Sequence, residues 1–278
     1  MTKSKLKKIL IGDFTLKRML YSIIFIYVAL GLIAWFLTDR IIFIGRRSGY
    51  NDNEQGLIKI TAKDGAKLST LYIQKPQADF TILFSHGNAE DLGDMRPFLE
   101  ELASAGFSVL AWDYRGYGTN PGRPTESNCF SDIETLYDYA VTELHIEPET
   151  IIAHGRSIGG AMAIHLSANR PVAGLIAESS FTAAIRVATR VPLYPFDKFR
   201  NIAKISSVNC PVLIIHGDAD GIIPFAHGRR LYEKAREPKF SLWVEGAGHN
   251  DLAYVAGDEY LDALTKFADS VKQRQVAE

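Results

Sequence analysis

A serine flanked by glycines follows a short apolar segment near the middle of the chain. Ser157 lies in the pentapeptide GRSIG at 155–159, after the apolar residues 151–153 and before a run of small apolar residues over 160–168. A strand, a tight corner and a helix in this order are typical of a nucleophile elbow, where glycines leave room for a strained turn and the serine hydroxyl is exposed. The pentapeptide alone is a weak pattern, and its context favours an elbow.

Candidate partners for this serine follow other predicted strands. Asp218 and Asp220 come after one apolar strand, and His249 lies in a glycine-flanked loop after the last one. A histidine could accept the hydroxyl proton because its pKa lies near neutral pH, and a carboxylate could orient that histidine. The residues alone do not separate Asp218 from Asp220, and Glu178, after a further strand, is a third candidate acid.

Other polar residues at the predicted strand ends are interpreted as structural. His86 and His216 lie in turns, where we expect their rings to hydrogen-bond the backbone. Asp113 and Arg115 are expected to organise a turn. The predicted chemistry therefore requires one serine, one carboxylate and one histidine, and the sequence contains no dinucleotide-binding glycine pattern, Walker loop or metal-ligand cluster. We expect no cofactor and no metal.

Strand and helix patterns alternate along the chain from residue 57 onward. Segments 57–62 and 68–75 alternate around an Asp-Gly pair, which predicts an antiparallel hairpin. The later alternation predicts an α/β fold with a mostly parallel central sheet and helices on both faces. The predicted helices include one that Pro224 opens in its first turn and a last one over 254–271. Ligands bind at the carboxyl ends of strands in such sheets. The stretch 181–209 is longer than one helix needs, and it predicts either a small cap over the site or a helix and loop packed on the core.

Five motifs in this order resemble the α/β-hydrolase superfamily, and more narrowly its single-pass, membrane-anchored serine hydrolases of the abhydrolase-domain type. They are HGNA at 86–89, DYRGYG at 113–118, GRSIG at 155–159, HGDAD at 216–220 with Pro224, and Gly248-His249. The resemblance implies an α/β-hydrolase fold over about residues 57–275. It also implies that the acid is the second aspartate of the HGDAD motif.

Roles for individual residues follow from that resemblance. It implies Ser157 as the nucleophile, Asp220 as the acid and His249 as the base. It further implies an oxyanion hole formed by the backbone N–H groups of Asn88 and Ile158. The expected function is hydrolysis of a carboxylic ester or thioester through an acyl-enzyme, with a small-molecule, acylated or lipid-like substrate.

Two other functions remain open at this point. A prolyl-oligopeptidase-related peptidase has the same order of triad residues, although this chain has no large second domain to gate peptides. A non-catalytic membrane adaptor could keep the fold, although it would have no chemical need for Ser157, Asp220 and His249 together. Apart from its N-terminal basic segment the chain is mildly acidic, which gives no support for nucleic-acid binding.

The N-terminal region predicts a membrane anchor. Residues 1–18 are basic, and residues 19–37 contain no charged side chain. As a helix this apolar run would be about 28 Å long, close to the roughly 30 Å of a bilayer core. A cleaved signal peptide is the alternative, but the run is long for one and no typical cleavage site follows. The basic excess before the span favours a cytoplasmic N-terminus, a catalytic domain on the non-cytoplasmic side and a short linker over 38–56.

Overall fold

Eight strands form one sheet in the computed structural model, which describes residues 15–45, 48–190 and 193–277. The strands are β1 Leu57–Thr61, β2 Lys67–Ile73, β3 Thr81–Ser85, β4 Ser108–Trp112, β5 Ile151–Arg156, β6 Gly174–Glu178, β7 Val212–Gly217 and β8 Lys239–Val244. Their spatial order is β1-β2-β4-β3-β5-β6-β7-β8. β2 pairs antiparallel with β1 and with β4, and all the other neighbours pair parallel.

Helices that follow β1 in the sequence cover both faces of this sheet. In chain order, the helices of the described residues are α1 Leu16–Ile42, α2 Leu92–Ser104, α3 Glu126–Thr142, α4 Gly159–Asn169, α5 Ala184–Thr189, α6 Asn201–Lys204, α7 Ala226–Lys234, α8 Leu252–Ala256 and α9 Asp258–Ala277. Side chains of α3, α4 and α7 pack in the core on one face, and those of α2, α8 and α9 pack on the other. The central strands are buried on both faces, as expected for parallel strands between two helical layers. The predicted mostly parallel sheet with two covered faces is confirmed.

Two helix boundaries differ from the sequence-based prediction. Pro224 was expected in the first turn of a helix, but α7 begins at Ala226, and Pro224 instead accepts a turn hydrogen bond from the N–H of His227 at 2.8 Å. The final helix was expected to run without interruption from 254 to 271. It is split into α8 and α9 at Gly257, whose φ of 54° is readily adopted only by glycine.

The predicted linker belongs to the same compact unit as the sheet. The chain divides into residues 1–38 and 39–278, and each unit holds its own internal contacts. Within the second unit Phe43 is only 6% exposed, and the hydroxyl of Tyr50 donates a hydrogen bond to Asp113. These aromatic side chains bury apolar surface that the polar, turn-rich composition of the segment does not reveal.

Helix α1 is long and apolar enough to cross a bilayer. Within its 25-residue section Leu16–Arg40, an 18-residue window has a mean hydropathy of 2.3 and is almost entirely exposed. At about 1.5 Å per residue this section would be roughly 37 Å long, which exceeds the ~30 Å hydrocarbon core. By length and composition this helix is a candidate membrane span, and a signal sequence near an N-terminus has the same properties.

Candidate active site

The serine lies at a sharp corner between β5 and α4. Ser157 has a φ of 54°, and its N–H donates to the carbonyl of Glu178 at 2.8 Å. A Cβ on Gly155 would lie 2.1 Å from the carbonyl oxygen of Gly159, and a Cβ on Gly159 would lie 2.0 Å from the carbonyl oxygen of Ser85. Only glycine fits at both positions, which explains why the sequence places glycines two residues before and after the serine.

A chain of hydrogen bonds joins the three predicted triad residues. The Nε2 atom of His249 is 2.9 Å from the Oγ of Ser157, and its Nδ1 atom is 2.7 Å from the Oδ2 of Asp220. They come from three different loops, which follow β5, β7 and β8. A proton on Nδ1, donated to the carboxylate, leaves Nε2 free to accept the serine proton.

The carboxylate of Asp220 is held on both of its oxygens. Oδ1 accepts hydrogen bonds from the N–H groups of Ile222 at 2.9 Å and Ile223 at 2.7 Å. Burial favours the neutral acid, but hydrogen bonds with His216 and His249 outweigh it and hold the pKa of Asp220 well below its usual value. The group is therefore ionised at neutral pH.

The other two candidate acids do not contact His249. Asp218 is exposed, and its Oδ1 accepts a hydrogen bond from the N–H of Gly246 at 2.7 Å. The buried carboxylate of Glu178 is bonded instead to the ring of His154 at 3.2 Å and to the hydroxyl of Tyr260 at 2.7 Å. Of the three acids that sequence spacing left open, Asp220 is therefore the one that contacts His249.

The two predicted oxyanion donors line the same cavity as the serine. Asn88 follows β3, and Ile158 stands at the N-terminal end of α4, where the helix dipole favours negative charge. Among the hydrogen bonds of the described residues, neither backbone N–H donates to a protein acceptor. Both donors are therefore available to an oxygen that develops negative charge beside Ser157.

A cavity of about 600 Å³ opens beside Ser157 and His249. Most of its wall is apolar, and the apolar members are Ile42, Ile44, Ile158, Phe181, Ala184, Val187, Ile222 and Ile223. The charged part of the wall is a pair, in which Arg156 donates to Glu90 at 2.5 Å.

Several of these lining residues were not predicted. Ile42 and Ile44 lie in the supposed linker, and only the apolar run just after Arg40 could have drawn attention to them. Glu90 stands next to the HGNA motif and Arg156 lies within GRSIG, but no spacing rule pairs them. Among the residues that the structure describes, no group of three or more His, Cys, Asp or Glu side chains is arranged to hold a metal ion.

Comparisons with known proteins support the superfamily resemblance. The family model described as serine aminopeptidase, S33, matches residues 76–200. The esterase Pf2001 of Pyrococcus furiosus superposes with a TM-score of 0.69 at 22% identity, over 82% of this chain and 98% of that one. A monoacylglycerol lipase from Paleococcus ferrophilus gives a TM-score of 0.60 at 22% identity, over 73% and 99% of the two chains. At this identity the structural likeness shows the fold alone, and the predicted α/β-hydrolase fold is confirmed.

Relatives at higher identity define the family. Human alpha/beta hydrolase domain-containing protein 17B is 42% identical over 207 residues, which span 73% of this chain and 71% of that protein. The 17C protein of Mus musculus is 39% identical over 227 residues, which span 78% and 70%. The chain therefore belongs to the family of the alpha/beta hydrolase domain-containing proteins 17, and it is a hydrolase of the α/β-hydrolase superfamily.

Proposed function

We propose that this protein is a membrane-anchored serine hydrolase that cleaves carboxylic esters or thioesters through an acyl-enzyme. The observation that carries the proposal is the hydrogen-bonded series Asp220–His249–Ser157 at the wall of an apolar cavity. A serine hydroxyl is a weak nucleophile until a base accepts its proton, and this arrangement supplies the base and the group that orients it.

The geometry supports a two-step reaction. The Oγ of Ser157 attacks the acyl carbonyl carbon while Nε2 of His249 accepts the hydroxyl proton. The carbonyl oxygen becomes an oxyanion that the N–H groups of Asn88 and Ile158 can bind. The carbon–oxygen or carbon–sulfur bond to the leaving group breaks, and His249 returns the proton to the departing alcohol or thiol. Water, deprotonated by the same histidine, then releases the acid from the serine.

The cavity wall supports an acyl chain as the substrate portion that binds there. Its apolar members surround the reacting hydroxyl, so they would bury the methylene groups of an acyl substrate. Each buried methylene contributes about 0.8 kcal/mol, which favours acylated or lipid-like substrates over short ones. The short helix α5, which contributes Ala184 and Val187 to this wall, would serve as the small cap in the segment 181–209.

An aminopeptidase is the second candidate, because the matching family model carries that description. Such an enzyme requires a negative group for the α-ammonium of its substrate. Among the described residues that line the cavity, Glu90 is the one that carries a carboxylate, and this carboxylate is already paired with Arg156. This pairing favours the esterase proposal over peptide hydrolysis.

Covalent labelling by a fluorophosphonate probe tests the activated serine. We expect full-length wild type to label, and Ser157→Ala and His249→Ala to lose labelling at least 100-fold. Ser104→Ala, at an exposed serine near the end of α2, is the matched control and should label like wild type. A folded wild type that does not label would contradict the proposal and favour the adaptor function.

A substrate series tests the bond type. We expect p-nitrophenyl esters and acyl thioesters to be cleaved with kcat/KM rising from two-carbon to longer acyl chains. Aminoacyl p-nitroanilides should be cleaved at least 100-fold more slowly than the best ester. Faster cleavage of the anilides would show that the second candidate is the correct one.

We further propose that α1 remains as a signal anchor, with the N-terminus in the cytoplasm and the catalytic domain on the other side. The length, hydropathy and exposure of Leu16–Arg40 support the anchor, and the basic residues before the span support the orientation. A compartment-sensitive reporter fused to the C-terminus should give a non-cytoplasmic signal. A cytoplasmic signal would reverse the orientation, and a shortened, carbonate-extractable product would indicate a cleaved signal peptide.

A further inference from the structure

We infer that the side chain of Asn88 is a positioning group that fastens the oxyanion loop to the backbone at the end of α1. The inference rests on the proposed function, in which the N–H of Asn88 is one of the two oxyanion donors. The backbone that the Asn88 side chain binds lies at residues 42–44, in the same compact unit as the sheet. We call this stretch the strap.

The Asn88 carboxamide binds the strap in both directions. Its Nδ2 donates to the carbonyl oxygen of Ile42 at 2.6 Å, and its Oδ1 accepts from the N–H of Ile44 at 3.1 Å. One side chain thus satisfies a carbonyl and an N–H that lie two residues apart, as a neighbouring strand would. A side-chain amide is uncharged and carries its donor nitrogen and its acceptor oxygen side by side, which suits this double contact.

The strap includes the final residue of a helix. Ile42 ends α1, and the last carbonyl groups of a helix have no partner within the helix. Asn88 supplies that partner and acts as a C-terminal cap from a distant part of the sequence. The side chain of Ile44 is 58% exposed, so burial of that side chain does little to fix the strap.

Phe43 and Tyr117 complete the attachment. The ring of Phe43 points into the core between the two hydrogen-bonded residues and lies edge-on, 6.3 Å from the ring of Tyr117. The hydroxyl of Tyr117 donates a third hydrogen bond to Oδ1 of Asn88. The strap, the tyrosine and the oxyanion loop therefore hold one another in place.

The position of the oxyanion donor depends on this attachment. Asn88 lines the cavity, and among the described hydrogen bonds its N–H donates to no protein acceptor, whereas its side chain binds the strap. Neighbouring backbone is held elsewhere, since the N–H of Gly87 donates to Oε2 of Glu90 at 2.7 Å. The carbonyl of the same peptide, that of Gly87, is bonded to Nδ1 of His86 at 2.7 Å, so the side-chain bonds of Asn88 fix the amide end of this peptide. Without them the N–H of Asn88 can tilt, and a misaligned donor stabilises the oxyanion less.

Asn88→Ala measures this contribution in the full-length protein in detergent micelles. Loss of one oxyanion donor lowers kcat by about 100- to 1,000-fold, and a displaced donor retains part of its effect. We expect turnover of p-nitrophenyl acetate per active site to fall about 10- to 100-fold, with KM changed less than about threefold. Active sites are counted by the endpoint of fluorophosphonate labelling, which should be reached more slowly but at the same stoichiometry.

Asn120→Ala is the matched control for structural damage. Asn120 also binds backbone in both directions, donating to the carbonyl of Asp113 at 2.7 Å and accepting from the N–H of Ser69 at 2.7 Å. It is buried and does not line the cavity. We expect this variant to lower the Tm at least as much as Asn88→Ala while turnover per labelled site stays within about twofold of wild type.

A second pair of variants tests the strap from its own side. Ile44→Pro and Ile44→Ala both shorten the same cavity side chain, but only proline removes the N–H that donates to Oδ1 of Asn88. We expect turnover per labelled site to be at least tenfold lower for Ile44→Pro than for Ile44→Ala. Because both changes break one interaction, Asn88→Ala combined with Ile44→Pro should be no worse than about twofold below Asn88→Ala alone.

The outcomes separate the two proposals. A folded wild type that does not label overturns the proposed function and this inference with it. A labelled wild type whose Asn88→Ala variant keeps turnover per site within twofold overturns the inference alone. An equal fall in Asn120→Ala would also overturn it, because the effect would then be general to the loss of buried backbone hydrogen bonds.

Discussion

At the scale of single residues, Asp220 is held by other groups besides His249, the proposed base. Two backbone N–H groups, from Ile222 and Ile223, bind one carboxylate oxygen, while His249 and His216 approach the other at 2.7 and 3.4 Å. The ring of His216 also bonds the carbonyl of Ile223 at 2.9 Å, so it ties the loop after β7 together. The carboxylate therefore keeps its orientation without help from substrate.

Asp220→Asn should preserve the shape of this loop and abolish most activity. An amide nitrogen facing Nδ1 of His249 would favour the wrong tautomer of the ring, and such a change costs about 10⁴-fold in kcat in other triads. We expect a loss of about 10³- to 10⁴-fold in ester hydrolysis. Asp218→Asn is the control and should stay within about threefold of wild type; an equal loss there would reassign the acid.

Ser157→Gly should be more stable than Ser157→Ala. The left-handed conformation costs a residue with a Cβ about 1–2 kcal/mol, and glycine avoids that cost while losing roughly 0.5–1 kcal/mol through its freer unfolded chain. Both variants lack the hydroxyl, so the comparison isolates the backbone. We expect the glycine variant to unfold with a free energy about 0.5–1 kcal/mol higher in denaturant titrations. An alanine variant of equal or greater stability would show that the corner is unstrained.

The residue types of the proposed triad could be predicted because the motifs tie each one to the end of a strand. The contacts of Glu90 and of the Asn88 side chain could not be predicted. Their partners, Arg156 and Ile42, are distant in sequence, and only the folded backbone brings them close. Motif order records which chemistry is present. It does not record the contacts that hold the loops.

At the scale of elements, His165 connects three helices on one face of the sheet. It lies in α4, its ring stacks on Phe130 of α3 with 4.0 Å between centroids, and its Nδ1 is 3.1 Å from the Nζ of Lys204 in α6. Burial, helped by the charge of Lys204, lowers the pKa of His165 to about 4. The folded protein therefore prefers the neutral ring.

This preference predicts a loss of stability in acid. Above pH ~6.5 the ring is neutral in the folded and unfolded chains, so its full contribution to stability is present. As pH falls from about 6.5 towards 4, the unfolded state binds a proton that the folded state does not bind, and this contribution to stability is lost. His165→Gln should flatten the dependence of unfolding free energy on pH in this window. His145→Gln, at an exposed position, should leave the slope unchanged, and an unchanged slope in His165→Gln would contradict the assignment.

Elements with a strong period were predictable, and their exact ends were not. The hairpin around Asp64 and the alternation of strands and helices follow from local patterns. The break at Gly257 and the late start of α7 after Pro224 depend on how the chain turns back onto the sheet, which local propensity does not encode. The burial of Phe43 depends on its ring contacts with Tyr114, Tyr117 and Phe199, which are distant in sequence.

At the scale of the whole molecule, the order of the strands could not be read from the sequence. Alternation predicts a parallel sheet, but many strand orders satisfy it. The observed order places β3 between β4 and β5, and it brings the loops after β3 and β5 to the same cavity. The meeting of Asn88 with Ile158 is therefore a property of the topology, which the superfamily resemblance implied and the residues alone did not.

The same strand order has a consequence for how the protein inactivates on heating. Ser157 follows the interior strand β5, whereas His249 follows β8, which lies at the edge with half of its residues exposed. Opening free energies differ across a native structure, and edge segments with few buried contacts open first. The proposed base would then detach while the nucleophile strand is still folded.

We expect amide hydrogens of β8 to exchange faster than those of β5, and esterase activity to disappear reversibly several degrees below the Tm. If activity and circular dichroism were lost together, the two ends of the hydrogen-bonded series would belong to one cooperative unit.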